Sequence, residues 1–173
     1  SLSRTAATAA RVLSQLRRDP RTLVLLLVVP CVLMILVDQL FAGRELVFQS
    51  VGVPMLGLFP LISMFLVTSI TMLRERTTGT LERLLTTPLT KLELLLGYGI
   101  AFATVAIVQA VVVSLVGFGL LGLQAQHSEL VIMLLAVANA ILGMAFGLFV
   151  SAFARTEFQA VQFMPAFVLP QIL

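Results

Sequence analysis

Few side chains in this chain could do chemistry. There is one histidine, His127, and one cysteine, Cys31. A paired-histidine metal or haem site within the chain is therefore not encoded, nor is an internal disulfide. The only lysine, Lys91, stands in Leu-Thr-Lys-Leu. A P-loop needs Gly-Lys followed by Ser or Thr, so the chain does not hydrolyse ATP by that route. An intramembrane hydrolase would need a nucleophile and a base inside its apolar runs, and His127 lies outside them. A proton-driven carrier would need ionisable groups at mid-membrane depth. Asp38 lies near the end of its run and the other acids flank runs, so Asp38 reads as an interfacial carboxylate. Gln109, Asn139, Gln159 and Gln162 are the strongest polar candidates inside apolar stretches, and such groups often bond across helices. One segment concentrates charge and apolar residues at short spacing: Arg74-Glu-Arg-Thr-Thr-Gly-Thr-Leu-Glu-Arg-Leu-Leu-Thr-Thr-Pro88. Its chemistry is that of recognition.

The elements that must hold these residues follow from composition. Of 173 residues, 60% are hydrophobic and 11% charged, with a mean hydropathy of +1.10. An ordinary soluble domain carries ~25% charged residues, so no polar coat exists to cover a water-soluble globule. The net charge of +3 is too small and too dispersed for a nucleic-acid surface. The chain reads as an all-α polytopic membrane protein. A spanning helix takes ~20 mostly apolar residues. The spans fall at 22–40, 51–73, 94–123 and 130–154, with the start of a fifth at 158–173. The third would be roughly 45 Å long, against ~30 Å of hydrocarbon, so its far end, with Gly117, Gly119 and Gly122, is expected to protrude or fray. In the fourth, Ala136, Ala140, Gly143 and Gly147 form a small-residue stripe that reads as packing within the chain. No cleavable signal peptide is visible in residues 1–21, before the first span, so none is expected there. The chain starts at Ser1 and stops at Leu173 inside an apolar run, so both ends read as cut.

Lysine and arginine set the orientation. Ten of the 11 basic residues fall on one side of this layout; only Arg44 falls on the other. The N-terminus is therefore expected in the cytoplasm. Residues 4–18, within a 1–21 lead-in, suggest an amphipathic surface helix. Its apolar face would be Ala6, Ala9, Val12, Leu13 and Leu16, with Arg4, Arg11 and Arg18 toward lipid phosphates. In the 74–93 segment Gly79 is expected to break the helix leaving the second span. Thr80 would cap a short helix with an apolar stripe of Leu81, Leu84 and Leu85. Pro88 would end it, and Thr90 to Glu93 is a capping box for the third span. A helix too short to span, with an open apolar face, needs a partner surface.

The Arg-Glu-Arg-x-x-Gly-Thr-Leu-Glu-Arg-Leu-Leu-x-x-Pro block, between a second and a third span, resembles the membrane subunits of the ABC type-2 permease family. The nearest branch is that of bacterial drug-efflux permeases, similar to the daunorubicin-resistance membrane subunits. The resemblance extends to Arg-Asp-Pro-Arg before the first span and to Ser-Ala-Phe-Ala-Arg-Thr-Glu (151–157) before the fifth. It implies six spans, five of them present here. It implies an ABC ATPase subunit as partner, binding ATP and Mg while this chain binds no cofactor, and a second permease copy or homologue. The implied coupling residues are Glu75, Arg76, Gly79, Thr80, Leu81, Glu82, Arg83, Leu84 and Leu85, with Arg155 and Glu157 as a smaller contact. The 1–21 helix resembles the family's connecting helix. The implied substrate path, along the second and fifth spans, is Met64, Phe65 and Thr68 with Gln159, Gln162, Phe163 and Met164. The resulting function is ATP-driven export of amphipathic drugs, antibiotics or lipid-like molecules from the bacterial inner membrane. Export of a polysaccharide or lipid-linked glycan is the alternative within the family; the absence of Trp and the single Tyr tilt away from it. An intramembrane enzyme and a non-transporting ATPase anchor are the alternatives from other classes.

Overall fold

A computed structural model describes residues 2–86, 90–124 and 128–171, except the side chains of Leu85 and Gln171. Pro88 and His127 lie outside the described residues. The described chain is helical: α1 (Leu2–Arg18), α2 (Pro20–Leu40), α3 (Glu45–Thr77), α4 (Thr80–Leu85), α5 (Lys91–Leu115), α6 (Glu129–Phe153), α7 (Glu157–Gln162) and α8 (Met164–Val168). Four helical stretches are long and apolar enough to cross a membrane: Pro20–Leu40, Glu45–Thr77, Lys91–Leu120 and Glu129–Phe153.

Local chemistry explains most helix ends. Asp19 caps α2 by accepting from the Thr22 amide, and Pro20 occupies the first turn, where no N–H is needed. The Thr22 hydroxyl also donates to Asp19, and this bond holds its carboxyl below the usual range. The Thr90–Glu93 capping box opens α5. The glycine-rich end of that helix widens into a π-helical turn, Val116–Leu120, and closes with Gly122 at φ +66°. Gln49 then ties this end to the start of α3. It donates to the Gly122 carbonyl at 3.2 Å and accepts from the Gln124 amide at 2.6 Å.

Three sequence expectations shift. α3 outruns its span in both directions, reaching 33 residues, so Arg74, Glu75 and Arg76 ride on a continuous helix. The fifth span is not one helix here: α7 ends at Gln162 and α8 restarts at Met164. Pro165 has no N–H to donate to the Val161 carbonyl, so the ladder of α7 is interrupted there. α1 is amphipathic, but its buried face is Thr5, Thr8, Ala9, Val12 and Leu16, while Ala6 is exposed. The rotation comes from α5. A Cβ on Gly97 would stand 2.6 Å from Thr8 Cβ, so the missing side chain admits the threonine. The Thr8 hydroxyl is satisfied by the Arg4 carbonyl.

The tightest helix pair is α3 against α6. Ala136, Ala140, Gly143 and Gly147 are buried along it, and a Cβ at Gly143 would meet the Leu61 backbone. The small-residue stripe is therefore packing within the chain.

Pro30 is buried inside α2 and cannot donate to the Leu26 carbonyl. Gln109 of α5, fully buried, donates to that carbonyl at 2.5 Å and to Ser63 Oγ of α3 at 2.6 Å. One amide thus serves the proline gap and joins three spans. In hydrocarbon a freed backbone group must find such a partner. Gln109→Leu is expected to lower stability by about 1–2 kcal/mol. Removing the amide's own Oε1, unpartnered among the described residues, offsets part of the loss. Pro30→Ala in that background restores an N–H and is expected to recover most of the loss in a thermal melt of the purified protein. A double variant no more stable than Gln109→Leu would remove this role.

Candidate coupling site

The end of the bundle that carries the arginines is built around the last turns of α3. Arg74 forms a two-pronged ion pair with Glu157, Nε to Oε1 at 2.6 Å and Nη2 to Oε2 at 3.2 Å. The guanidinium holds the Glu157 carboxyl below its ordinary range. Arg76 donates from Nη1 to the Ala152 carbonyl at 2.7 Å and from Nη2 to the Ala154 carbonyl at 2.5 Å. These are carbonyls at the C-terminus of α6, where a cation both pairs the orphan acceptors and meets the negative end of the dipole. Two neighbouring arginines thus clamp α3 to the α6–α7 junction. Thr156 caps α7 through the Gln159 amide, and the Gln159 side chain accepts from the Arg155 amide at 2.8 Å.

On the other flank, Arg11 of α1 donates to the Tyr98 hydroxyl of α5 at 2.7 Å, with its guanidinium 5.9 Å from the ring centre. Glu75 of α3 faces the same tyrosine and keeps Oε2 buried without a partner among the described residues. Beside them lies a polar cavity of about 270 Å³, reached by Gln15, Asp19, Thr71, Arg74 and Thr80. Three helices are joined there by one acid, one phenol and one guanidinium.

From this platform α4 hangs on a hinge. Gly79 adopts φ +74°, a left-handed conformation that costs other residues steric strain. Gly79, not Thr80, is the N-cap; Thr80 is already helical and its hydroxyl pairs with that of Thr78 at 3.1 Å. The apolar face of α4 is not left open, as the sequence led us to expect. Leu81 and Leu84 are half-buried against the main core, which contains Leu94 and Tyr98. The Leu85 side chain lies outside the described residues. Glu82 and Arg83 are exposed, as is Arg155. The structure therefore places nine of the eleven residues expected to couple. Leu81 and Leu84 root the helix, Gly79 hinges it, and Glu75, Arg76 and Glu157 are engaged by the chain's own helices. Glu82, Arg83 and Arg155 face outward.

The expected path residues are placed apart. Met64, Phe65 and Thr68 are fully buried inside the bundle, and Gly147 of α6 packs against the Phe65 backbone and Thr68. Gln162 and Phe163 are exposed at the α7–α8 break. Phe65 and Met164 share a cluster with Phe146 and Phe167, whose rings stack at 4.5 Å. Sequence reasoning gave Arg11 and Tyr98 no joint role. They lie 87 positions apart, and nothing local marks either. Among the described residues no group of three His, Cys, Asp or Glu could hold a metal.

Among the described residues, four helical stretches long and apolar enough to cross a membrane define a multi-pass membrane protein. A sequence model of the family described as ABC-2 type transporter matches residues 4–173, and the chain belongs to that family. The family supplies the membrane subunit of a transporter, not a catalytic domain. Two Escherichia coli proteins, from strain K12 and from O157:H7, are 29% identical over 119 residues; each is described as "Probable multidrug ABC transporter permease YbhR". The match covers 69% of this chain and 32% of each relative, so the aligned part spans about a third of their length. No solved structure matches the chain.

Proposed function

We propose that this chain is the permease part of an ATP-driven exporter of amphipathic drug-like or lipid-like molecules in a bacterial inner membrane. In this reading the basic end is cytoplasmic. A separate ATPase subunit, carrying ATP and Mg, presses on Glu82, Arg83 and Arg155. Two permease copies enclose the path, with Gln162 and Phe163 of each facing it beside Met164. The observation that carries the proposal is the construction of α4: two leucines rooted in the span core, a glycine hinge, and two charges pointing away. Such a helix turns an external push into movement of α3 and α5. The two relatives, described as probable multidrug permeases, support a drug-like substrate.

The test uses the full-length protein with an ATPase subunit in reconstituted vesicles. ATP-dependent movement of a hydrophobic cationic dye is expected, and loss of that movement without the ATPase. Dye movement driven by a proton gradient alone would overturn the proposal. Orientation is tested separately in whole cells. Ala42→Cys, chosen because neighbouring Gly43 needs φ +79°, is expected to react with an impermeant reagent from outside. Thr86→Cys is expected to react only after permeabilisation. The reverse pattern would invert the topology.

A further inference from the structure

We propose that the junction of α1, α2 and α5 binds an anionic glycerophospholipid, with one acyl chain in an apolar groove and the phosphate on Arg17 and Arg18. The groove has a volume of about 290 Å³. Its walls are Leu13 from α1, Leu23 and Leu27 from α2, and Val105 and Val108 from α5, with Arg17 the charged residue on its lining. Its flanks are apolar and exposed, Val24 at 54% and Ile107 at 44%. On a membrane-spanning bundle such surfaces face hydrocarbon, so a lipid chain is the natural filling.

The choice of an anionic headgroup rests on charge. α1 holds four arginines and no acid. Arg17 and Arg18 are exposed, and their guanidiniums make no hydrogen bond or ion pair among the described residues. The nearest acid, Asp19, already accepts from the Thr22 amide and hydroxyl, and it lines the polar cavity reached by Thr71 and Arg74 instead. An unpaired guanidinium on the rim of a hydrocarbon slot, Arg17, with exposed Arg18 next to it in sequence, matches the two parts of an anionic phospholipid, headgroup and chain. The division of labour follows from the solvent. Lipid tails are as apolar as leucine, so moving a chain from bilayer to groove gains little. The groove orients the lipid, and the arginines select its charge by roughly fivefold each. The bland alternative is that Arg17 and Arg18 only offset the dipole at the end of α1. That role predicts a loss of stability blind to headgroup.

The experiment measures lipid retained by the purified full-length protein in neutral detergent, by native mass spectrometry. The probes are phosphatidylglycerol, phosphatidylcholine with the same chains, and glycerol phosphate as a free headgroup. Phosphatidylglycerol is expected to be retained at least tenfold better than phosphatidylcholine, and glycerol phosphate not at all. Arg17→Gln with Arg18→Gln is expected to erase that preference, while Arg44→Gln at the opposite end leaves it intact. Val105→Phe, or Leu27→Phe if that variant does not fold, fills the groove and is expected to lower retention of both lipids. Equal retention of the two lipids by the parent would overturn the proposal. So would a preference that survives the double arginine change, or glycerol phosphate bound as well as phosphatidylglycerol. None of these readouts involves ATP or a transported substrate, so they succeed or fail independently of the exporter assignment.

Discussion

Gly143→Val is expected to yield little or no folded protein. A Cβ at this position would collide with the Leu61 carbonyl oxygen and stand 2.9 Å from both Leu61 Cα and its carbonyl carbon. The obstacle is backbone, which cannot rotate aside as a side-chain tip can. The only relief is to push α6 away from α3. That separation would also open the contact at Gly147, where a Cβ would lie 2.7 Å from the Phe65 carbonyl oxygen. Overpacking a close contact typically costs about 1–3 kcal/mol, and a backbone collision at the principal helix pair belongs at or above the top of that range. Gly99 is the control: it is also helical but has nothing within 4 Å of a built Cβ. Gly99→Ala is expected to be neutral or to gain up to about 1 kcal/mol through helix propensity. Yield of monodisperse protein and the thermal midpoint in detergent report both. A Gly143→Val protein that melts with the parent would mean that α3 and α6 do not pack as described.

If the chain is the proposed exporter subunit, Leu84→Ala and Glu82→Lys are expected to impair coupled transport by different routes. Leu84 lies half-buried against the core, and truncating it frees one of the two leucines that fasten α4. For such a partly buried leucine the loss is about 1–2 kcal/mol, below the ~2–5 kcal/mol of a fully buried one. Coupling between sites amounts to ~1–3 kcal/mol, so turnover should fall tenfold or more while insertion is preserved. Glu82→Lys leaves α4 rooted and reverses an outward charge, which should weaken capture of the ATPase subunit itself. Two measurements separate them. Amide exchange in α4 is expected to rise in Leu84→Ala and stay unchanged in Glu82→Lys. Co-purification of the ATPase is expected to fall chiefly in Glu82→Lys. If both variants transport like the parent, α4 is a passive connector.

The Arg74–Glu157 pair adds a pH signature. Because the Glu157 carboxyl is held below its ordinary range, its contribution is present at neutral pH and is lost as pH falls through that lowered value. Both side chains are largely exposed, so the effect on global stability is small. Its expected consequence is local: a looser α3–α7 junction in acid.

Much of this molecule was legible in the order of its residues, wherever the physics is local. Uncharged runs had to be helices, because hydrocarbon offers backbone groups no other partner. Thr90 and Glu93 announced a capping box, Gly79 a break, and Ala136 to Gly147 a close helix contact. Those readings needed only neighbours a few residues away. What tertiary structure alone decided is which face of each helix meets which. In water an amphipathic pattern reveals the buried side, but in a membrane both the lipid face and the packed face are apolar, so periodicity carries little of that information. Hence the inward placement of Met64 and Phe65 appears only once the spans are assembled, while α1 and α4, outside the spans, showed their apolar faces in sequence and needed the tertiary structure only to show what covers them. The same holds for the long-range polar bonds. Gln109 reaches Leu26 across 83 positions, Arg11 reaches Tyr98 across 87, and Arg76 reaches Ala152 across 76. Each joins a donor to an acceptor whose need arises from the fold itself: a proline's missing N–H, a helix end, a buried phenol.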